Sequence, residues 1–199
     1  MSESSILATT FFATLFLELD FAIFLGVMLS LILYLKRTSK PKILARVPDE
    51  RLPNRKFNTD PSLPECPQLK LVRIDGSLFF GAINHVQETI RRFEEEKPEQ
   101  KNLLLLAHGI NFVDSTGAEL IEQEAKHRKK IGGKLFLYGA KEAVCEQFRR
   151  GGYIETIGRE NIFSSKTEAL SVIYNQQLNK DICAKCDKRI FRECQKASD

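Results

Sequence analysis

The spacing of apolar residues divides this 199-residue chain into an apolar opening and a longer part in which apolar and polar positions alternate. The first 35 residues carry three charged side chains, Glu3, Glu18 and Asp20, and are otherwise mostly apolar. Two apolar runs, Ile6–Leu17 and Phe21–Leu35, stand on either side of Glu18 and Asp20. The rest of the chain has the composition of a soluble α/β protein, so a division of the chain is predicted near residue 36.

The apolar opening has the composition of a membrane segment. A helix needs about 20 apolar residues to cross the hydrocarbon core, and neither run alone reaches that length. Residues 1–37 are therefore predicted to form one interrupted helix or, as we favour, two short helices that turn at Glu18 and Asp20. A buried helix of a soluble protein is the remaining alternative. A signal peptide is not expected, because the basic residues follow the apolar core instead of preceding it.

Basic residues and prolines come next. Five cations and no acid lie between positions 36 and 46: Lys36, Arg37, Lys40, Lys42 and Arg46. Such an excess beside a membrane segment marks the cytoplasmic side, so residues 38–199 are expected on the cytosolic side of a membrane. Residues 38–67 hold six of the seven prolines in the chain. This stretch is predicted to be an extended linker, and the folded domain is predicted to begin near Gln68.

Residues 68–178 alternate between strand and helix patterns. Apolar runs bounded by turn residues predict strands, and apolar positions three and four residues apart predict amphipathic helices. The predicted strands are Leu69–Asp75, Leu103–Ala107 (buried on both faces) and Lys134–Tyr138. The predicted helices are Ile83–Glu96, a helix ending near Ile131, Glu142–Arg150, and a helix from the Ser165–Glu168 capping box to about Leu178. This order predicts an α/β domain with a small central sheet and helices packed against it.

The stretch NFVDSTGAELIE, residues 111–122, follows a predicted buried strand and begins a helix. Asp114, Ser115 and Thr116 can each cap that helix, and Thr116 with Glu119 also fits a capping box. A phosphate on Ser115 would meet the same unpaired N–H groups and the positive end of the helix dipole. Capping, phosphorylation and a contact surface therefore all remain open as roles for the loop.

Asp114-Ser115-Thr116-Gly117, between strand and helix, resembles the signature loop of STAS domains. The similarity covers about residues 68–178, and SLFFGAINHV looks like the transporter branch of that family. The apolar opening also looks like the last membrane helices of SulP-family anion transporters, which directly precede their STAS domain. The resemblance implies a STAS-like small mixed sheet with helices packed against it, preceded by a helical membrane segment.

The resemblance implies a regulatory and interaction domain from the end of a sulfate-type anion transporter. Its expected contacts are the membrane and either protein partners or the remaining transporter helices. A homodimer with a second copy of the chain is also compatible with this resemblance. In the anti-sigma antagonist branch the serine after the aspartate is phosphorylated, which makes Ser115 the candidate for an alternative phospho-switch. SulP transporters bind their anion in helices upstream of the last two. Because no counterpart of those helices is present, we expect the chain alone not to transport an anion.

Three cysteines near the carboxyl terminus, Cys183, Cys186 and Cys194, form a C-x2-C-x7-C pattern in residues 179–199. Clustered thiols in a cytosolic segment suggest metal or redox chemistry, and this is a further alternative function. Zinc takes four ligands, so Cys66 or a second chain would have to complete the set. Neighbouring cations are expected to lower the thiol pKa values. An unstructured reducing tail is the other interpretation, and no cofactor is certain.

Charge and motif content argue against two other classes. The net charge of +4 and the absence of tryptophan give no indication of nucleic-acid binding. The three histidines show no ligand spacing, and the sequence contains no nucleophile–base pair, phosphate-binding loop or paired carboxylates in a catalytic context. An enzyme is therefore not expected.

Overall fold

A computed structural model describes residues 4, 7, 8, 11, 12, 19–49, 51, 52 and 55–196. Its contacts separate two compact units, Met1–Lys40 and Pro41–Asp199. In the first unit, helix α1 spans Leu19–Thr38. Its 20 residues correspond to a length of about 30 Å, and the Asp20–Thr38 part is apolar enough to cross a membrane.

The charges of α1 lie at its two ends. Asp20 is in the first turn, while Lys36 and Arg37 are in the last turn. Each charge is opposite in sign to the end of the helix dipole that it lies near, which is favourable. Phe21, Leu35 and most apolar side chains between them are exposed. Of the predicted turn at Glu18-Leu19-Asp20, Leu19 and Asp20 are helical, whereas Glu18 and most of the first apolar run lie outside the described residues.

The second unit is built around a six-stranded mixed sheet. The strands of this sheet are β1 (Lys42–Ala45), β4 (Leu69–Leu78), β5 (Asn102–Leu106), β6 (Ile110–Val113), β7 (Leu135–Tyr138) and β8 (Ile162–Phe163), while β2 (Val47–Pro48) and β3 (Phe57–Asn58) form a separate hairpin. The strand order is β1-β4-β5-β7-β8, and β6 pairs with β4. Strand β1 is antiparallel to β4, and the other pairings are parallel. The predicted mixed sheet is confirmed.

Seven helices accompany these strands in the described part of this unit. They are α2 (Ile83–Glu96), α3 (Ser115–Lys130), α4 (Glu142–Arg150), α5 (Ile154–Ile157), α6 (Lys166–Gln176), α7 (Lys180–Lys185) and α8 (Arg192–Lys196). Single 3-10 turns occupy Phe80–Ala82, Ala107–Gly109 and Arg159–Asn161. The long helices agree with the sequence prediction to within about two residues, whereas α5, β6 and β8 were not predicted.

Both faces of the sheet are buried. In β5, Leu103 and Leu105 join one apolar core, whereas Leu104 and Leu106 join another, as the two-residue period of a strand requires. The first core contains apolar residues of α2, α3, α4 and α5. The second contains α6 residues together with Ile190 and Phe191. β5 is apolar without interruption from Leu103 to Leu106 because both of its faces are buried: helices cover one face, and α6 together with Ile190 and Phe191 covers the other.

The linker prediction is wrong for much of residues 38–67. Lys42–Ala45 form β1, and Ile43 packs against the first core. Proline cannot donate a ladder hydrogen bond, but Pro41 lies just before this short edge strand and Pro48 ends another, where the loss is tolerated. The compact unit therefore begins at Pro41, not near Gln68.

The interpretation of residues 179–199 as an unstructured tail is also wrong through residue 196. Ile190 and Phe191 are 5% and 3% exposed, which makes them core residues. Arg55 donates hydrogen bonds to the Ile190 carbonyl (3.3 Å) and to Gln195 Oε1 (2.6 Å), so the segment after β2 also contacts the tail. Gln68 accepts a hydrogen bond from the backbone N–H of Asn179 (2.8 Å). The sequence did not show this, because a short tail has no periodicity long enough to reveal its buried positions.

Truncation at two positions tests whether residues 41–67 belong to the folded unit. We predict that a chain beginning at Pro41 unfolds cooperatively, whereas one beginning at Gln68 aggregates or unfolds at a much lower temperature. The shorter chain lacks β1, so it exposes an unpaired edge of β4 and part of the first core. Thermal unfolding by circular dichroism and size-exclusion chromatography measure the difference. Equal stability of the two chains would restore the linker interpretation.

Candidate functional site

The predicted signature loop lies where two parallel strands end together. Gly76 and Leu78 of β4 pair with Ile110 and Val113 of β6, with a bulge between the two pairs. The backbone N–H of Asp114, immediately after β6, donates to the Leu78 carbonyl at 3.0 Å. The loop is therefore at the carboxyl edge of the sheet, where open α/β sheets bind their ligands.

Asp114 joins two loops through its carboxylate. Its Oδ1 accepts from the Gly117 N–H at 2.7 Å, which makes it the N-cap of α3. Its Oδ2 accepts from the Phe80 N–H at 3.0 Å, in the turn that follows β4. The capping box predicted at Thr116 and Glu119 is wrong, because the cap lies two residues earlier and Thr116 is inside the helix.

Gly117 is required by close packing. A Cβ at this position would lie 2.4 Å from the Leu78 carbonyl oxygen, a distance that real Cβ atoms essentially never show. The first turn of α3 therefore packs directly on the end of β4. In the sequence Asp114-Ser115-Thr116-Gly117, the first residue caps the helix and the last permits this approach, so both have structural roles.

Ser115 is the first residue of α3 and is exposed, whereas Thr116 is half-buried. A phosphate on Ser115 would be near the positive end of the helix dipole, and Asp114 would be a like charge beside it. Capping does not require Ser115, because Asp114 fills that role. The hydroxyl is therefore available for contact or modification.

Two exposed phenylalanines flank the same loop. Phe80 is 80% exposed and Phe112 is 55% exposed. Phe80 donates its backbone N–H to Asp114, and Phe112 lies two residues before Asp114 in the chain. We refer to Phe80, Phe112 and Ser115 together as the loop surface. The sequence analysis missed both phenylalanines, because an apolar residue at a strand end gives no sign of whether it is buried.

Four of the five cysteines line one small cavity. Cys66 precedes β4, Cys183 is on α7, Cys186 follows that helix, and Cys194 is on α8. The cavity has a volume of about 10 Å³. Within the described residues, no three cysteine, histidine, aspartate or glutamate side chains are arranged to hold a metal ion. The structure nevertheless brings the fourth cysteine, Cys66, to the three of the tail.

The pKa values of three cysteine thiols are raised and not lowered. Burial raises the pKa of Cys66 to about 12, against the effect of backbone hydrogen bonds from Gln68 and Leu69. Burial is also the main reason why the pKa values of Cys183 and Cys194 are raised. The prediction that nearby cations would lower the thiol pKa values is wrong for Cys183, where desolvation outweighs the attraction of Lys180, and for Cys194, where desolvation is the largest effect.

Comparison with known proteins agrees with the fold. Residues 60–169 match the family described as STAS domain. The chain is 25% identical over 167 residues to "Putative sulfate transporter YvdB" of Bacillus subtilis (strain 168), covering 84% of this chain and 30% of that protein. It is 23% identical over 172 residues to "High affinity sulfate transporter 2" of Stylosanthes hamata, covering 81% and 26%. The chain thus spans less than a third of the length of these relatives.

Among solved structures, the murine anion transporter Slc26a9 in its inward-facing state superposes with a TM-score of 0.76. The match covers 85% of this chain and 28% of that one, at 20% sequence identity. At this identity the comparison shows a shared fold. The resemblance to STAS domains and sulfate transporters that the sequence indicated is confirmed.

The geometry of the loop generates a stability prediction. Asp114→Ala should lower the free energy of unfolding by about 2 kcal/mol, because it removes a helix cap and a second hydrogen bond. Ser115→Ala should change it by less than about 0.5 kcal/mol, as is usual at an exposed position. Urea unfolding of residues 41–199 measures both values. Equal losses in the two variants would contradict the assignment of Asp114 as the cap.

Proposed function

Because the chain belongs to the STAS-domain family, we propose that its second unit is a regulatory contact domain, held on the cytosolic side of a membrane by α1. Its place is in an anion transport system of the sulfate type. The observation that carries the proposal is the loop surface, where two exposed phenylalanines flank the capped Asp114–Ser115 turn. The loop has the composition of a protein contact site and contains no catalytic constellation.

Helix α1 supports the membrane part of the proposal. It is about as long as the hydrocarbon core is thick, and its apolar side chains are exposed along the helix. The cations that follow it favour the cytosolic side for the second unit. The relatives in the comparison are named as sulfate transporters, which are membrane proteins.

The exposed phenylalanines support the contact part. In residues 41–196, as far as the structure describes them, four large apolar side chains are exposed, and Phe80 and Phe112 are the two most exposed of these. Exposed aromatic residues on neighbouring segments, here the turn after β4 and strand β6, are typical of binding sites. The partner that fits best is the membrane part of the transporter, since the chain matches less than a third of each of these longer proteins, which are named as sulfate transporters.

A second function rests on Ser115. Its hydroxyl is exposed at the first turn of α3, and Asp114 makes the cap without it. A phosphate there would add about −1.5 to −2 charges in the middle of the loop surface. Such a modification would switch off an apolar contact by desolvation and by repulsion from Asp114. This alternative uses the same surface and therefore predicts the same partner.

Membrane attachment is tested by fractionation. The full chain should remain with the membrane fraction after washes with high salt and at alkaline pH, because α1 is held by apolar burial and not by charge. A chain beginning at Pro41 should be recovered in the soluble fraction as a folded domain. Recovery of the full chain in the soluble fraction without detergent would contradict the anchor.

The contact surface is tested by photo-crosslinking in membranes that contain the assembled transport protein. A photoreactive phenylalanine analogue at position 112 should give a crosslink to the transporter's membrane part. The same analogue at Ile182, which is also exposed and lies on α7, is the matched control and should give none. Ser115→Asp should weaken the crosslink at position 112 several-fold, whereas Ser115→Ala should preserve it. Equal labelling from positions 112 and 182 would reject the loop surface as the contact.

A further inference from the structure

The four cysteines of the small cavity come from three separate parts of the chain. Cys66 lies beside the start of β4, Cys183 and Cys186 lie at the end of α7, and Cys194 lies on α8. Cys145, the remaining cysteine, is on α4 and does not line the cavity. Folding thus gathers four thiols of a soft-metal ligand set, two of them in a C-x2-C turn closed by a bond from the Cys186 N–H to the Cys183 carbonyl (3.2 Å).

Gln68 donates hydrogen bonds to two of these sulfur atoms. The Gln68 backbone N–H donates to Cys66 Sγ at 3.5 Å, and the Gln68 side-chain amide donates to Cys183 Sγ at 3.4 Å. Hydrogen bonds to ligand atoms orient metal ligands and tune the metal site in proteins. Gln68 therefore donates a hydrogen bond to each of two of the four sulfur atoms, one from its backbone and one from its side chain.

Positive charges accompany the thiols. Lys188 and Arg189 line the same cavity, and Lys180 acts electrostatically on Cys183. A divalent ion held by four thiolates has a net charge of −2, which would be costly to bury without compensation. These cations offset that charge.

From this arrangement we propose that Cys66, Cys183, Cys186 and Cys194 bind one structural Zn²⁺. The thiols do not form a coordination sphere as they stand. The ion would draw the turn after α7 and helix α8 towards Cys66 and displace the thiol protons. Zinc fits best because it takes four tetrahedral sulfur ligands, and a closed set of this kind is structural, not catalytic.

The ion would fasten the tail over the second core. Ile190 and Phe191, which cover that face of the sheet, lie between Cys186 and Cys194 in the chain. The site is at the start of β4, whereas the loop surface is at its end, about 30 Å away along a ten-residue strand. The zinc proposal is therefore independent of the contact proposed for Phe112.

Metal content of the full chain, purified in detergent from cells grown with added zinc, is the direct test. We expect about one zinc per chain, and the same content in Cys145→Ser, the matched control. Cys66→Ser and Cys186→Ser should each lose most of the bound zinc. Chelator-treated protein titrated with Co²⁺ alone should show the charge-transfer and visible bands of a tetrahedral thiolate site, at a stoichiometry of one.

Thermal unfolding separates a metal site from simple packing. Zinc should raise the unfolding temperature of the chelator-treated protein and of Cys145→Ser, but not that of Cys186→Ser, whose side chain is only half-buried in the structure. Four thiols that remain reactive after zinc addition, with no Co²⁺ bands, would overturn the proposal. So would zinc retained unchanged in Cys186→Ser, or iron found in place of zinc.

Discussion

The need to bury both faces of a small, mostly parallel sheet determines the organisation of the second unit. β5 is apolar at four of its five positions, so neither of its faces can meet water without a large loss of hydrophobic stabilisation. Four helices cover one face. The other has only α6 as a long helix, so Ile190 and Phe191 of the tail complete the cover. This requirement explains why a carboxyl-terminal segment with few apolar residues is nevertheless an ordered part of the domain.

The same packing produces the loop surface. The first turn of α3 can lie directly on the end of β4 only because position 117 has no Cβ. Asp114 then satisfies N–H groups of both α3 and the turn after β4, which fixes two loops with one carboxylate. These two hydrogen bonds hold the backbone on either side of Phe80 and Ser115. For the contact proposed above, such preorganisation would favour binding, because less conformational freedom is lost on association.

Gln68 links the folding of the tail to its chemistry. Its side chain is buried, accepts from Asn179 and donates to Cys183, while its backbone N–H donates to Cys66. Buried polar groups are costly unless hydrogen-bonded, so these contacts define where the tail begins to pack. Packing of the tail against the domain therefore both forms the cysteine cavity and covers the second core. This region is at the opposite end of β4 from the loop surface.

Apolar periodicity and capping residues act locally, so the α/β class, the buried strand at Leu103–Leu106 and the helix that begins after Asp114 could be predicted from the sequence. The sequence also indicated the family, since the order of strand, Asp-Ser-Thr-Gly and helix is readable along the chain. Three other features are visible only in the folded chain: Lys42–Ala45 form a sheet edge, Cys66 lies with the tail cysteines, and Phe80 and Phe112 remain exposed. These features depend on contacts between residues far apart in sequence, and neither proline content nor apolar character reveals which distant segment a residue will pack against.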